Sequence, residues 1–291
     1  MTSIRDSELP NLIHKGKVRD THELGDGLLL MVATDRISAF DVVLKNVIPE
    51  KGAVLSQMSE FWFAQTSHII PNHFIDSALN WSEQILPREI ARRAMVVKKA
   101  ERIDVECVVR GYITGSAWSE YQNSGTVSGQ VMPTGMQEGD MFPEPLFTPT
   151  TKAEVGHDEN MSYSDVVDMV GRQTAGLLED FSKSVYMFAR NVALKKGIII
   201  ADTKMEFGFI EGQLSLIDEL LTPDSSRFWD AIGYSPGKSL PNFDKQFVRD
   251  WLSHRGWDKE PPAPELPDDV VCRTSERYFE AYKKLTGRDV L

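Results

Sequence analysis

The 291-residue chain has only two cysteines, Cys107 and Cys272, and neither belongs to a CxxC pair. This scarcity argues against a disulfide framework and against a cysteine-based zinc site, and it predicts a protein of the reducing cytoplasm. No apolar run approaches the roughly 20 residues that a membrane-spanning helix needs, and residues 1–17 lack the apolar centre of a signal peptide. We therefore expect a cytoplasmic globular protein without a membrane partner.

Positive charge is also scarce. Lysine and arginine number 32 against 43 aspartates and glutamates, which gives a formal net charge of -11. A general nucleic-acid binder needs a basic surface, so the charge balance argues against that class of protein. A local cationic pocket for a small anion is still compatible with the balance, because net charge is a sum over the whole surface. The length predicts two domains or one large one.

Several familiar catalytic motifs are missing: the sequence has no GxGxxG, no GxSxG and no HxxxH pair. The segment 233–239 resembles a phosphate-binding P-loop, but three residues separate its glycines where four are needed, and no strand precedes it. We do not expect a nucleotide there. Cys107 lies within an apolar run, which is more typical of a core residue than of a nucleophile.

The pattern of apolar residues predicts a mixed chain that begins with strands. Residues 136–168 carry eight acidic side chains, one basic side chain and three prolines, and we interpret the first part of this stretch as a long irregular surface loop. The capping-box pattern Ser162-x-x-Asp165 predicts the start of a helix that breaks near Gly171 or Gly176. The predicted strands are 28–34, 42–48, 94–98, 104–112, 198–209 and 214–217, and the predicted helices are 55–70, 162–197, 243–257 and a last one ended by Gly287.

The strand 198–209 is the most informative segment. Because side chains alternate along a strand, Asp202, Lys204 and Glu206 share one face, while Met205 and Phe207 point into the core. A solvated sheet face with alternating charges and a functional site explain this pattern equally well.

The return strand 214–217 favours a site, because it ends at Asp218 and Glu219. Two carboxylates from neighbouring strands are suited to Mg²⁺ that also binds substrate phosphates, and we assign Glu206 and Asp218 to that pair. A two-residue turn at 211–212 pairs residue 206 with 217, so Asp218 would face the wrong way. Either a bulge near Gly208 intervenes, or Asp218 lies beyond the regular pairing.

Cations recur beside glycines or turns elsewhere in the chain. Arg227 follows a Pro-Asp turn, where its planar fork would bind phosphate or carboxylate, or would simply balance Asp224. Arg110 ends an apolar strand and precedes Gly115 and Ser116, which suits a phosphate cradle. Two further polar segments are candidate ligand-binding residues. The basic turn Lys15-Gly16-Lys17-Val18-Arg19 could cover the phosphates of a nucleotide. Asp35, Arg36 and Ser38 follow the strand 28–34, at a strand end where ligands commonly bind.

Together these segments resemble the phosphoribosylaminoimidazole-succinocarboxamide synthase (SAICAR synthetase) family, over most of the chain and in the family's order. The matching segments are GKVRD (16–20), TDRISAFD (34–41), VECVVRGYITGS (105–116), GHDENMS (156–162), ADTKMEFG (201–208) and DELLTPDSSRFW (218–229).

The resemblance implies an α+β fold in two lobes, related to ATP-grasp enzymes, with antiparallel sheets, flanking helices and ATP in the cleft between the lobes. Residues 1–113 would form the ATP-binding lobe, and residues 114–291 the lobe with the substrate and Mg²⁺ sites and the terminal helices. The implied activity joins L-aspartate to 5-amino-1-(5-phosphoribosyl)imidazole-4-carboxylate at the expense of ATP, through an acyl phosphate. We expect small-molecule partners and a monomer, and leave a dimer open.

The resemblance also implies a role for each candidate residue. The ATP-binding residues would be Lys15, Gly16, Lys17, Arg19, Lys98 and Glu101, and the Mg²⁺ ligands Glu206 and Asp218. The catalytic residues would be Lys204, Asp202 and Arg110, with Lys204 near the reacting carboxylate. The substrate phosphate and ribose would contact Arg110, Ser116 and Arg227, and the imidazole and aspartate would contact Asp35, Arg36, Ser38, Asp158 and Glu159.

Two other classes of function stay open at this point. A kinase-like phosphotransferase would transfer the γ-phosphoryl group to a hydroxyl, but the sequence contains neither HRD nor DFG. A nucleotide-binding module without catalysis would explain Lys17 and Glu206, but it would have no use for Arg110, Ser116 and Arg227 together.

Overall fold

The computed structural model describes residues 3–83, 86–152, 159–238, 240 and 242–291. The helices in this part of the chain are α1 (Lys51–Thr66), α2 (Arg88–Ala91), α3 (Gly115–Ser124), α4 (Tyr163–Val170), α5 (Arg172–Leu194), α6 (Gln246–His254) and α7 (Asp268–Thr286). The strands are β1 (Leu12–Lys15), β2 (Arg19–Gly25), β3 (Leu28–Ala33), β4 (Arg36–Ala39), β5 (Val42–Val47), β6 (Phe74–Ser77), β7 (Ala94–Lys98), β8 (Glu101–Arg102), β9 (Val105–Tyr112), β10 (Thr126–Val127), β11 (Gln130–Val131), β12 (Met141–Phe147), β13 (Thr150–Thr151), β14 (Ile198–Ile210), β15 (Gln213–Ile217) and β16 (Ser226–Asp230).

The first half of the chain forms an antiparallel sheet in the order β1-β2-β3-β7-β6. The predicted strands 28–34 and 94–98 are confirmed as β3 and β7. Helix α1 covers the sheet with Met58 and Trp62, both fully buried among the apolar side chains of β3 and β7. The helix begins four residues earlier than predicted. The Asp35 carboxylate, from an earlier segment of the chain, accepts the N–H of Gly52 at 2.9 Å and so supplies a hydrogen-bond partner for the first turn.

A larger antiparallel sheet is built around β14. Its central order is β12-β9-β14-β15, with β13 also on β9, and with β8 and β16 also on β14. The first sheet therefore ends at Lys98, and β9 belongs to the second sheet. The predicted lobe boundary at residue 113 stays a prediction.

Strand β12 contradicts the prediction of an irregular loop over the first part of 136–168. Residues 141–147 pair with β9 although they include Pro143 and Pro145. The strand lies at the edge of the sheet, where a residue without an N–H is tolerated, and its register shifts between Met141 and Leu146 around the prolines.

The predicted starts and ends of the later helices are largely confirmed. Ser162 and Asp165 form the predicted capping box, and Gly171 separates α4 from α5 with a φ of 81°. Gly287 ends α7 in the left-handed conformation, as expected. Helix α3 is absent from the predicted helices, because its sequence has weak amphipathic periodicity. No helix of the described chain is long and apolar enough to cross a membrane.

The two sheets share one hydrophobic core. Met31 and Val97 of the first sheet belong to the same buried cluster as Met205 and Phe207 of β14. Backbone hydrogen bonds join the sheets directly, because Leu216 of β15 accepts the N–H of His73 at 2.9 Å. The residues at the junction are therefore held rigidly, which positions the charged groups described below.

Glu60 on α1 supplies a stability test that is independent of any function. Burial raises the pKa of its carboxyl to about 7, against the hydrogen bonds of Ser77 and Ser56, and Asp76 raises it further. Because the folded pKa lies above the unfolded one, the favourable contribution is complete below the unfolded value of 4.5 and is lost as the pH rises through about 7. Glu60→Gln should therefore raise the melting temperature at pH 8 by roughly 2–4 °C and change it little at pH 4.5. Equal shifts at both pH values, measured by calorimetry, would contradict the assignment.

Candidate active site

The charged face of β14 is buried. Asp202 and Glu206 are each 4% exposed, although they lie opposite the core residues Met205 and Phe207. The alternation predicted for this strand is confirmed, and the alternative of a solvated sheet face is wrong. Since burying a charge is costly unless it is paired, each of these side chains must have a partner on a neighbouring strand.

Asp202 lies between two arginines in one row across the sheet. The register places Arg110 of β9 and Arg227 of β16 directly opposite Asp202, on its two sides. Arg110 donates to the Asp202 carboxylate at 3.2 Å, and Arg227 donates to the same oxygen. Two guanidinium groups thus share one carboxylate, so the row has a surplus of positive charge.

The surroundings of this row suit an anion. Arg110 also donates to the Ser116 hydroxyl at 3.2 Å, at the start of α3. The Nε of Arg227 is buried and has no hydrogen-bond partner among the described residues. Gly115 has a φ of 59°, and a Cβ there would overlap the Arg227 guanidinium, so only glycine lets the helix start this close. A cavity of about 640 Å³ opens beside these groups, with Trp118, Gln137 and Lys238 also on its wall.

Lys204 occupies the centre of the face. Its ammonium lies 2.6 Å from the Glu106 carboxylate on β9 and 3.9 Å from Glu206. Burial would lower the pKa of Lys204, but Glu206 and Glu106 raise it above the ordinary lysine value. The group is therefore a permanent cation, and it cannot act as a nucleophile or base at neutral pH.

Asp218 completes the face from the end of the hairpin. The register pairs Glu206 with Ile217 and continues unbroken to Ile210 opposite Gln213, so the second of the two predicted alternatives is confirmed. Asp218 lies just beyond the pairing, in the left-handed region with a φ of 64° that aspartate tolerates.

Arg19 reaches Asp218 from β2 and also lies 3.2 Å from Glu219. Burial would raise the pKa of Asp218, but the positive charges of Arg19, Lys152 and Lys204 hold it well below its usual range. Burial and the nearby Asp218 raise the pKa of Glu206, in spite of the lysines beside it. The negative charge of Asp218 thus works against ionisation of Glu206.

Asp35 and Arg36 lie apart from this cluster, inside the first half of the chain. Asp35 is fully buried and forms an ion pair of 2.6 Å with Arg93. Arg36 pairs with Asp20 at 2.6 Å and donates to the backbone carbonyl of Gly16 at 3.1 Å. It therefore helps to hold the basic turn 15–19 in place. Their assignment to the substrate stays a prediction.

The other candidate residues lie around the edges. Lys15 pairs with Asp6 at 2.7 Å, Lys17 with Asp41 at 2.5 Å and Lys98 with Glu211 at 3.8 Å. The remaining positions are Ser38 on β4 opposite Val43, Glu101 on β8 opposite Phe209, and Glu159 beside Thr151, whereas Asp158 lies outside the described residues.

Sequence reasoning missed two members of the cluster. Glu106 shares its strand face with Arg110, and the same period of two that selected Asp202 could have identified it. Lys152 forms an ion pair with Glu206 and is the single basic residue in the acidic stretch 136–168. A single basic residue in an acidic stretch is the sequence feature that could have identified Lys152 as a site residue.

Comparison with known proteins agrees with this geometry. The family model described as SAICAR synthetase matches residues 12–264. A phosphoribosylaminoimidazole-succinocarboxamide synthase of Desulforapulum autotrophicum is 50% identical over 98% of this chain and 99% of its own. The Saccharomyces cerevisiae SAICAR synthase solved in complex with SAICAR superimposes with a TM-score of 0.87 at 43% identity, with 99% of each chain covered. A SAICAR synthetase solved in complex with ADP gives a TM-score of 0.71 at 26% identity, over 95% of this chain and 98% of its own.

These comparisons define a ligase of purine biosynthesis, an enzyme that uses ATP to attach aspartate to its substrate. The chain belongs to the SAICAR synthetase family.

The arginine row predicts a specific stability effect. Asp202→Asn removes the charge that separates two largely buried guanidinium groups, so it should lower the free energy of unfolding by about 3 kcal/mol. Inorganic phosphate should restore part of the loss, because an added anion can replace the carboxylate. Asp230→Asn on the same sheet removes a more exposed pair with Lys284 and should cost under about 1 kcal/mol. Chemical denaturation with and without phosphate measures both, and a neutral Asp202→Asn would contradict the role of the row.

Proposed function

We propose that the imidazole nucleotide lies along the charged face of β14. Its phosphate would bind between Arg110, Ser116 and Arg227, and its carboxylate would lie near Lys204. The observation that carries the proposal is the spacing on one strand. Asp202 and Glu206 are four residues apart, or about 13 Å, so one elongated substrate can contact the arginines at one end and approach the carboxylate pair at the other.

The chemistry explains why cations are needed at the reacting end. A carboxylate is a poor electrophile, so its oxygen first attacks the γ-phosphorus of ATP, and the bond to ADP breaks. The amine of aspartate then attacks the acyl carbon, and phosphate leaves with that oxygen as the amide forms. Lys204 would offset the repulsion between the two anions in the first step. The cluster therefore works by positioning and charge compensation.

Mg²⁺ fits the same cluster. Proteins commonly bind Mg²⁺ through one or two carboxylates together with substrate phosphates. Glu206 and Asp218 would hold it, because their mutual repulsion favours an added cation. When bound, Mg²⁺ supplies positive charge at the transferring phosphoryl group.

ATP would lie between the two sheets, close to Asp218. Arg19 connects β2 to Asp218, and the turn that contains Lys15, Gly16 and Lys17 precedes Arg19 closely in the chain. Lys98 and Glu101 flank the junction of the sheets and would contact the adenine. A relative solved in complex with ADP supports nucleotide binding by this chain.

The acyl phosphate can be tested by isotope transfer. Imidazole nucleotide labelled with ¹⁸O in its carboxylate should give inorganic phosphate that carries one ¹⁸O, because the attacking oxygen leaves with phosphorus. Mass spectrometry of the released phosphate measures the label. Turnover that requires ATP, Mg²⁺ and aspartate but leaves the phosphate unlabelled would contradict the route.

Glu206→Gln should reduce kcat by at least about a hundredfold with unchanged folding, because a neutral amide is a poor ligand for the hard cation. Glu179→Gln on α5 removes the same charge outside the site and should keep normal turnover. Steady-state assays with circular dichroism as a folding check decide the point. Near-normal turnover of Glu206→Gln would remove the metal assignment.

Arg227→Ala should raise the KM for the imidazole nucleotide about tenfold to a hundredfold, since charge-assisted hydrogen bonds contribute about 1.5–3 kcal/mol. The KM for ATP should stay within about twofold, because the proposed ATP site lies at the other end of the face. A defect confined to ATP would contradict the placement of the phosphate. Lys283→Ala on α7, an exposed cation paired with Asp289, serves as the control.

A further inference from the structure

Lys152 stands out among the cations of the active site. It follows β13 directly, and its ammonium pairs with Glu206, the carboxylate that the proposed function assigns to Mg²⁺. The functional roles described above account for Arg19 and Lys204 but give Lys152 none. A cation paired with a metal ligand must either move aside when the metal binds or weaken metal binding.

The charges of the cluster show why such a cation is needed. The carboxylates of Glu106, Glu206, Asp218 and Glu219 are largely buried, and they are paired by Arg19, Lys152 and Lys204. Glu206 lies 3.9 Å from Lys204, so Lys152 is its close partner among the described residues. Without Lys152, a buried carboxylate would lack a close counter-charge, which is strongly unfavourable.

The three cations differ in how firmly they are held. Arg19 is 9% exposed and contacts two carboxylates at once, so its fork is fixed on both. Lys204 is 34% exposed, but it lies on the central strand and is anchored by Glu106 at 2.6 Å. Lys152 is 25% exposed, lies outside the strands after the two-residue strand β13, and has Glu206 as its carboxylate partner in the part of the chain that is described. Its flexible side chain is the one that can leave at the lowest cost.

We propose that Lys152 is an exchangeable counter-ion for the divalent cation. In the metal-free protein its ammonium neutralises Glu206, and it yields that carboxylate when the cation binds. The proposal rests on the proposed function, because it takes Glu206 as a metal ligand. The exchange keeps the buried carboxylate paired in both states, and it makes metal binding weaker than the two carboxylates alone would give.

The test measures metal affinity of the nucleotide-free protein, with Mn²⁺ as the probe and with electron paramagnetic resonance or calorimetry as the readout. Lys152→Met should tighten Mn²⁺ binding by about tenfold, because the competing charge is gone. Lys152→Arg keeps the charge and should bind within about threefold of the unaltered protein. Lys183→Met removes the same charge from a pair on α5 and should leave the affinity unchanged.

A second readout covers the case in which the truncated variant is unstable. Lys152→Gln should melt below the unaltered protein without metal, and saturating Mn²⁺ should stabilise it by more degrees than it stabilises the unaltered protein, because the ion supplies the missing charge. An equal or smaller metal-induced shift would overturn the exchange.

Glu206→Gln separates the two proposals. If it loses Mn²⁺ affinity while Lys152→Met gains none, the metal site stands and the exchange is overturned. If it binds Mn²⁺ as well as the unaltered protein, the metal assignment fails, and the exchange fails with it. Loss of affinity in Glu206→Gln together with a gain in Lys152→Met supports both.

Discussion

The need to pair buried charges along one strand governs the structure of this protein. Strand β14 carries core side chains on one face and Asp202, Lys204 and Glu206 on the other, and Asp202 and Glu206 are buried as fully as the core. Each charge therefore requires an opposite charge at strand spacing on a neighbouring element. The positions of Arg110 and Arg227 follow from that requirement and from the antiparallel register.

Incomplete neutralisation turns this charged face into a site. The arginine row has two cations for one carboxylate, and the far end of the face has two repelling carboxylates held by Arg19 and lysines. The free-energy cost of burying and orienting these charges is met during folding, so they need no reorganisation when a substrate binds. An anion at one end and a cation at the other are what a reaction between a carboxylate and ATP requires.

The sequence predicted what local rules determine. The two-residue turn set the register of the β14–β15 hairpin, which left Asp218 beyond the pairing, and side-chain oxygens set the start of α4. It could not predict contacts between distant segments. The ion pair between Asp35 and Arg93 joins residues 58 positions apart, and no local pattern indicates it.

Strand β12 was missed for a related reason, since prolines exclude a central strand but not an edge strand, and edge position depends on the assembled sheet.

The deciding measurement is a crystal structure with the imidazole nucleotide, Mg²⁺ and a non-hydrolysable ATP analogue. It should show the substrate phosphate between Arg110 and Arg227 and the metal against Glu206 and Asp218. A substrate bound away from the β14 face, with both arginines still paired only to Asp202, would contradict the account.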